Sequence, residues 1–422
     1  MKKTLIAVAA AAALTTSAFA EITFGAWLRA LAAPVASNGE DTVASMGNSW
    51  GWGARTARIN IHAVAEDGKV GFEMGVYNDV DGGIADGDDA FIWGKPIDML
   101  TVSFGKFDGP RNGLRGDVCY GSWNWLRPTD TWIAEDEGLL MSGLNKNKGV
   151  KLDVTPIDGL LITAFLPITI DQAKVEDVYK NIQAGFGYDI DGVGKIKAQF
   201  IGKNNAKKEK VTGAWVDKDG NVVDFSKSAA LKGDITFDPT KEVGKDEDGS
   251  FNKTLEAEFD LTAVENLWLG LGAQFNLYEE KDDNPREVST KIALGAKYQV
   301  SDTIGLSASA AYFMYNKKKD DNGMDPRFQA GAGVDYNLGD GLAASADVRY
   351  LSKANDIDNT DSLAFSVGVT KGISSNGYMG VAFQGQTNSG SWANNVITGK
   401  TSDDGKADKF TWCVPVAISC WF

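Results

Sequence analysis

From Ala54 onward the chain repeats one unit: an alternating apolar/polar stretch, a short turn rich in Gly, Asp, Asn and Ser, a second alternating stretch, then a longer polar loop. Successive side chains of a strand point to opposite faces, so this period predicts strands with one apolar face, and the turn chemistry predicts hairpins. The expected pairs are Ala54–Ala65 with Lys69–Asp79, Asp88–Gly94 with Met99–Phe107, Lys148–Thr155 with Leu160–Pro167, and Val178–Asp189 with Gly194–Lys203. They continue as Phe251–Leu261 with Leu267–Tyr278, Glu287–Val300 with Thr303–Tyr315, Arg327–Leu338 with Gly341–Ser352, and Asp361–Gly372 with Gly377–Thr387. Eight hairpins give sixteen strands. Ile22–Ala30 and Lys409–Phe422 bring the expectation to about eighteen, with sixteen as the alternative count.

The end of the chain shows what the apolar faces are for. Phe410, Trp412, Val414, Val416, Ile418, Cys420 and Phe422 share one face of a strand, and Thr411, Cys413, Pro415, Ala417, Ser419 and Trp421 the other. In water such an edge is an aggregation hazard, whereas a strand that closes a barrel has no free edge and can turn its apolar face to lipid. Alternation alone fits a soluble β-sandwich equally well. Aromatic placement separates the two readings. Tyr188, Tyr298, Tyr336 and Phe422 fall on apolar faces near the tight-turn ends, and Tyr312 and Tyr350 near the loop ends, as two interfacial girdles would. The expected fold is all-β: a transmembrane antiparallel up-and-down β-barrel. An even strand count puts both termini at the turn rim, where the first strand pairs with the last.

The start of the chain supplies a route to a membrane. Lys2 and Lys3, the apolar run Leu5–Leu14 and Ala18-Phe19-Ala20 have the form of a cleaved secretory signal, so residues 1–20 are expected to be removed and 21–422 to form one domain. Nothing after Ala20 reaches the roughly 18 consecutive apolar residues of a membrane-spanning helix. With 48 Gly, 10 Pro and 43% hydrophobic residues, the composition fits many strands joined by turns. Without Lys2 and Lys3, two of the 42 basic residues, 40 basic side chains face 57 acidic ones, a balance that argues against nucleic acid as a partner. Cys413 and Cys420 point to opposite faces of one strand, over 20 Å apart at about 3.3 Å per residue, beyond disulfide reach. Cys119 reaches Cys413 only if its loop folds inward; the simpler expectation is three free thiols serving as small apolar residues.

The long loops are 108–147 and 204–250, with shorter ones at 31–53 and 388–408. Val211–Phe225 is expected to form a small hairpin through Asp217-Lys218-Asp219-Gly220-Asn221. The loop 108–147 mixes Arg111, Arg115 and Arg127 with Asp117, Asp130, Glu135, Asp136 and Glu137, beside Trp123, Trp125 and Trp132. The strand Val102-Ser103-Phe104-Gly105-Lys106-Phe107 before it, and Asn147-Lys148-Gly149-Val150-Lys151-Leu152 after it, resemble Gram-negative general porins. The resemblance implies an outer-membrane protein among lipid and lipopolysaccharide, a third loop folded into the lumen, and a homotrimer. It also implies recognition of Phe422 by the barrel assembly machinery. Two features depart from that family. Cys420 replaces a bulkier residue two before the terminal Phe, and eighteen strands would suit substrate-specific porins instead.

By strand parity the lumen wall is expected to carry Arg29, Arg58, His62, Glu73, Lys151, Lys195, Lys197, Glu256, Glu258, Asp260, Lys291, Lys297, Arg327, Asp335 and Arg349. Set against the charges of the loop 108–147, this wall would orient dipolar solutes and screen ions by sign. No cofactor or metal is expected. The acidic runs Asp79–Gly83, Asp86–Asp89 and Lys245–Gly249 lack calcium-loop spacing and are expected to be solvated loop charge. Catalysis is not expected either, because His62 is the single histidine and no Ser or Cys is arranged beside it. The expected function is passive diffusion of small hydrophilic solutes and ions through a water-filled barrel constricted by the loop 108–147. The alternative is a surface antigen or adhesin that uses the long outer loops.

Overall fold

The computed structural model describes residues 20–37, 39–47, 55–79, 84–107, 114, 147–168, 175–205, 211–216, 236–243, 250–277, 288–316, 324–353, 355, 361–388 and 410–422. Of the expected signal segment 1–20, residues 1–19 lie outside them, and Ala20 is the first residue of β1. The strands begin with β1 (Ala20–Ser37), β2 (Thr42–Gly47), β3 (Arg55–Ala65), β4 (Val70–Asp79), β5 (Ile84–Ile97) and β6 (Leu100–Phe107). There follow β7 (Asn147–Val154), β8 (Leu160–Pro167), the one-turn helix α1 (Val175–Tyr179), β9 (Gln183–Ile190) and β10 (Gly194–Asn205). Outside the main sheet lie β11 (Val211–Val216) and β12 (Thr236–Val243). Next come β13 (Ser250–Leu261), β14 (Leu267–Leu277), β15 (Val288–Gln299), β16 (Ile304–Tyr315), β17 (Arg327–Gly339) and β18 (Leu342–Leu351). The last are β19 (Ser362–Ser374), β20 (Gly377–Gln386), β21 (Thr411–Cys413) and β22 (Val416–Trp421).

Twenty of these strands form one antiparallel sheet that closes on itself. On one side β1 pairs with β3, from Ala20↔Ala65 to Leu28↔Ala57. On the other it pairs with β22, from Trp27↔Trp421 to Ala32↔Val416. Among the described residues every strand of this sheet but β2 is paired on both sides, so the ring itself has no free edge, which is the condition hydrocarbon imposes on a spanning sheet.

Twenty strands are two more than the periodicity predicted, and both have a local cause. The closing strand is interrupted at Val414-Pro415 into β21 and β22. Pro415 has no N–H to give the ladder, and β1 shifts register between Ala32↔Val416 and Ala36↔Cys413, around Pro34. The other extra strand is β2, which pairs with the far half of β1 beyond its contact with β3, from Leu31↔Gly47 to Ser37↔Thr42. Set β2 apart and join the two halves of the closing strand, and eighteen staves surround the lumen.

Three further expectations are corrected. The segment 31–53 is not all loop, because β1 runs on to Ser37 and β2 follows. Val178–Ile182 is not strand: α1 and a turn occupy it, and β9 starts at Gln183. The small hairpin does not close at Asp217–Asn221, since β11 pairs with the distant β12, from Val211↔Val243 to Val216↔Thr236. Closing nineteen intervening residues rather than five costs only about 1 kcal/mol more in loop entropy, so a better strand partner outweighs a good local turn.

The barrel is inverted relative to a soluble protein. On β15, Leu294 is 51% exposed on the outer face while Lys291 is 7% exposed on the inner one. The same contrast sets exposed Leu255 and Phe259 against buried Glu256, Glu258 and Asp260 on β13. The expected girdle residues Tyr188, Tyr298, Tyr336, Phe422 and Tyr312 are exposed on the outer face. Burial of apolar groups in water cannot hold such a sheet, so its stability rests on the continuous ladder and on lipid covering the outer face.

Candidate functional site: the lumen wall

Inward-facing side chains of neighbouring strands stand about 5 Å apart across each ladder, close enough for opposite charges to meet. Lys197 on β10 sits opposite Glu258 on β13, and its Nζ lies 2.9 Å from Glu258 Oε1 and 3.0 Å from Asp260 Oδ2. One ladder step nearer the loops, Glu256 accepts hydrogen bonds from the side-chain amides of Gln199 on β10 and Gln274 on β14. Across the barrel, Arg58 on β3 donates to Asp89 Oδ2 at 2.9 Å and to the Tyr77 hydroxyl at 3.1 Å. Gly75 makes room for that arginine, because a β-carbon there would stand 2.6 Å from a guanidinium nitrogen. Arg349 on β18 donates to Gln329 Oε1 on β17 at 2.7 Å. Lys151 pairs with Asp153 at 2.8 Å, and Asp153 accepts from the Thr163 hydroxyl at 2.7 Å.

The inward groups open to water are concentrated toward the turn rim. The side chain of His62, near the turn end of β3, is 42% exposed, whereas that of Arg58, nearer the loops, is 2% exposed. On β10 the value falls from 39% at Lys195 to 6% at Lys197, and Gln199 beyond it is buried. Lys297 and Asp335 near the turns are exposed, while Lys291 and Gln329 on the same strands are buried. Inward polar side chains are therefore more open to water at the turn end than in the loop half.

Buried apolar patches lie on the wall of the loop half, two of them built around phenylalanines. Phe107 stacks on Phe91 with ring centroids 4.8 Å apart and meets Phe165 edge-on at 5.4 Å, where β6 enters the loop 108–147. Ala293, Ala311, Phe313, Leu351 and Ala364 form the second patch. Within that loop, Leu114 is described and buried, and it touches Gly185 and Gly187 on the inner face of β9.

Of the expected wall residues, Arg58, Lys151, Lys195, Lys197, Glu256, Glu258, Asp260, Lys291 and Arg349 are brought into the inner network. His62 and Glu73 face each other with Nδ1 and Oε1 3.5 Å apart. Lys297 lies 5.1 Å from the centroid of the Trp268 ring. Arg327 spends its fork locally: Nε and a terminal nitrogen donate to the Ser352 carbonyl at 3.1 and 2.9 Å. The side chain of Arg29, and Arg111, Arg115, Asp117, Arg127, Glu135, Asp136 and Glu137, lie outside the described residues.

The wall also carries Asp89, Asp347, Gln199 and Gln384, outside the expected set, and Gln329 on the polar face of its strand. Asp347 shares its parity with Arg349 and was legible. Asp89 was read as solvated loop charge, but β5 begins at Ile84, so the carboxylate falls on the wall and answers Arg58. Cys413 is buried, its Sγ 3.5 Å from Gln384 Oε1, and it and Cys420 are both free thiols. Cys119 lies outside the described residues.

Residues 173–370 match the family described as outer membrane protein beta-barrel domain. No curated protein matches the chain. Among solved structures, the chain is similar to the outer membrane channel DcaP of Acinetobacter baumannii. Identity is 11% over 96% of this chain and 99% of that one, with a TM-score of 0.47. A loop-deletion mutant of OmpT, an outer membrane protein of Vibrio cholerae, is similar at 14% identity, 96% and 100% coverage and a TM-score of 0.46. A mutant porin of Rh. blastica follows at 15% identity, 95% and 100% coverage and a TM-score of 0.45. No activity is carried over from likenesses of this order. The closed sheet, its outward apolar face and the family match define an outer-membrane, multi-pass β-barrel protein.

Proposed function

We propose that the protein is a passive diffusion pore for small hydrophilic solutes and ions, which it passes without chemical change. The carrying observation is the gradient along the wall: inward polar groups are open to water at the turn end and close on one another toward the loop half. That is the profile of a water-filled vestibule leading to a constriction. The segment 108–147 supplies the narrowing in this reading, supported by Leu114 buried against the inner face of β9. Purified protein in a planar bilayer is expected to give stepwise, ohmic current increments. A folded barrel that inserts and stays silent would overturn the proposal.

Assembly as a homotrimer belongs to the same reading. It is supported by the small outward side chains of Ala296, Ala308 and Ala332, paired in one row across β15, β16 and β17, where a second wall would approach closely. Ala308→Trp is expected to convert a trimeric mass in light scattering to a monomeric one. Equal masses would remove that interface.

A further inference from the structure

A cavity of about 780 Å³ opens in the inner wall at the turn end, bounded by the turns after β7, β9 and β13 and by β10 and β14. Its size is that of a small-molecule site. Its charged lining is Asp158, Asp189, Asp191 and Asp260 against Lys195 and Lys197, four carboxylates to two ammonium groups. Both lysines are already engaged: Lys195 lies 3.1 Å from Asp189, and Lys197 lies 2.9 Å from Glu258 and 3.0 Å from Asp260. An entering anion would therefore find no uncommitted ammonium among these two, whereas an entering cation finds carboxylate in excess.

Asp260 adds a second, independent observation. The residue is 6% exposed and lines the cavity, and its Oδ1 has no hydrogen-bond partner among the described residues. A buried carboxylate oxygen without a donor is costly, so the side chain gains by turning that oxygen toward a ligand donor in the cavity. The remaining lining is apolar and aromatic, with Trp268, Leu161 and Ile190 on the wall and Leu114 on the loop side. The Trp268 indole already has an ammonium over its ring, that of Lys297. Its electronic face suits a cation, and the aliphatic neighbours suit a compact apolar body.

We propose that this cavity is a binding subsite for small organic cations, an ammonium or guanidinium carried on a compact apolar frame. It deepens the pore reading and rests on it, since solute reaches the cavity only through an open lumen. The ammonium would sit between Asp260 and Asp191, with its apolar body against Trp268. A bare metal ion would leave the indole and aliphatic surface unused.

The test uses the full mature chain and the matched probes benzylammonium, benzyl alcohol and benzoate. Calorimetry on the detergent-solubilised barrel is expected to show binding of benzylammonium at least tenfold tighter than of benzoate or benzyl alcohol, and no displacement by an equal concentration of potassium. In the bilayer, benzylammonium is expected to block the ohmic current at tenfold lower concentration than benzoate. Asp260→Asn is expected to abolish this preference. Asp191→Asn, at an exposed turn, is expected to weaken binding severalfold and keeps the test sound if the first variant fails to fold. Equal binding of the three probes, or full displacement by potassium, would overturn the subsite while leaving the pore intact. Selective binding to a barrel that carries no current would overturn the pore and leave the cavity's chemistry standing.

Discussion

Leu114 rests on Gly187: a β-carbon built on that glycine would stand 3.1 Å from Leu114 Cδ2, and the other near atoms, on Lys195 and Lys197, are farther away. At Gly185, by contrast, a β-carbon would meet the backbone oxygen of Ala198 at 2.5 Å. The two glycines therefore separate contact with the loop from integrity of the wall. Gly187→Val is expected to leave a folded, heat-modifiable barrel, to cost about 1–3 kcal/mol as an overpacking change, and to alter single-channel conductance by displacing Leu114. Unchanged conductance in the folded variant would show that this contact does not shape the permeation path. Gly185→Val is expected to lower the folded yield itself.

The Arg58–Asp89 pair is buried on both sides, with 2.9 Å between guanidinium and carboxylate. Removing one partner leaves an uncompensated charge, which typically costs about 3–5 kcal/mol. Asp89→Ala is expected to lower the unfolding free energy of the barrel, read from urea titration, by an amount in that range. Arg58→Gln with Asp89→Asn, which removes both charges, is expected to recover much of the loss. A single variant as stable as the parent chain would show that Tyr77 and neighbouring groups alone satisfy the arginine.

The two C-terminal thiols differ in environment. Cys413 is buried on the inner face beside Gln384, and Cys420 is half-buried. Treating the folded, detergent-solubilised barrel with a small maleimide and mapping the peptides is expected to show Cys420 modified and Cys413 protected until the barrel is unfolded. Modification of Cys413 at the same rate would contradict its placement.

Outside the barrel, Asp238 on β12 accepts hydrogen bonds from the Thr240 hydroxyl at 2.7 Å and the Thr240 N–H at 2.8 Å. These bonds, the hydroxyl first, favour the carboxylate and hold its pKa below the ordinary value. A depressed folded pKa contributes stability that is present above the unfolded pKa and is lost as pH falls through the folded one. The turn is therefore expected to loosen only in acid, below the usual carboxylate range. Carboxyl NMR shifts should place the Asp238 midpoint below that of neighbouring exposed carboxylates, and Thr240→Val should raise it. A midpoint indifferent to that substitution would remove the hydroxyl as the cause.

Most of the wall was legible because its rule is local. Leu160–Pro167 and the start of Arg327–Leu338 coincide with β8 and β17, and many other predicted ends fall within a residue or two. Failures came where strand pairing or a proline overrode the local pattern. Thr236–Val243 drew β11 away from its own turn, β2 completed β1 where β3 stops, and Pro415 interrupted an otherwise faultless alternation beside the bulge at Pro34. The charge clusters were half legible. Parity placed Lys197, Glu258 and Asp260 on one side of the sheet, but that one lysine bridges both acids depends on the β10–β13 register, which spans the whole loop between them.

The sequence by itself determined the strands, their two faces and the sign of the inversion, because side-chain alternation and turn chemistry act within a few residues. Only the assembled sheet fixed how the first and last strands meet, which wall charges neutralise one another, and which inward groups stay open to water. It also made the cavity beside Asp260 and Trp268, whose lining comes from strands and turns far apart in the chain. The physical reason is that a barrel's interior belongs to no single strand. Each stave specifies only which residues face inward, and closure of the ring specifies which of them touch.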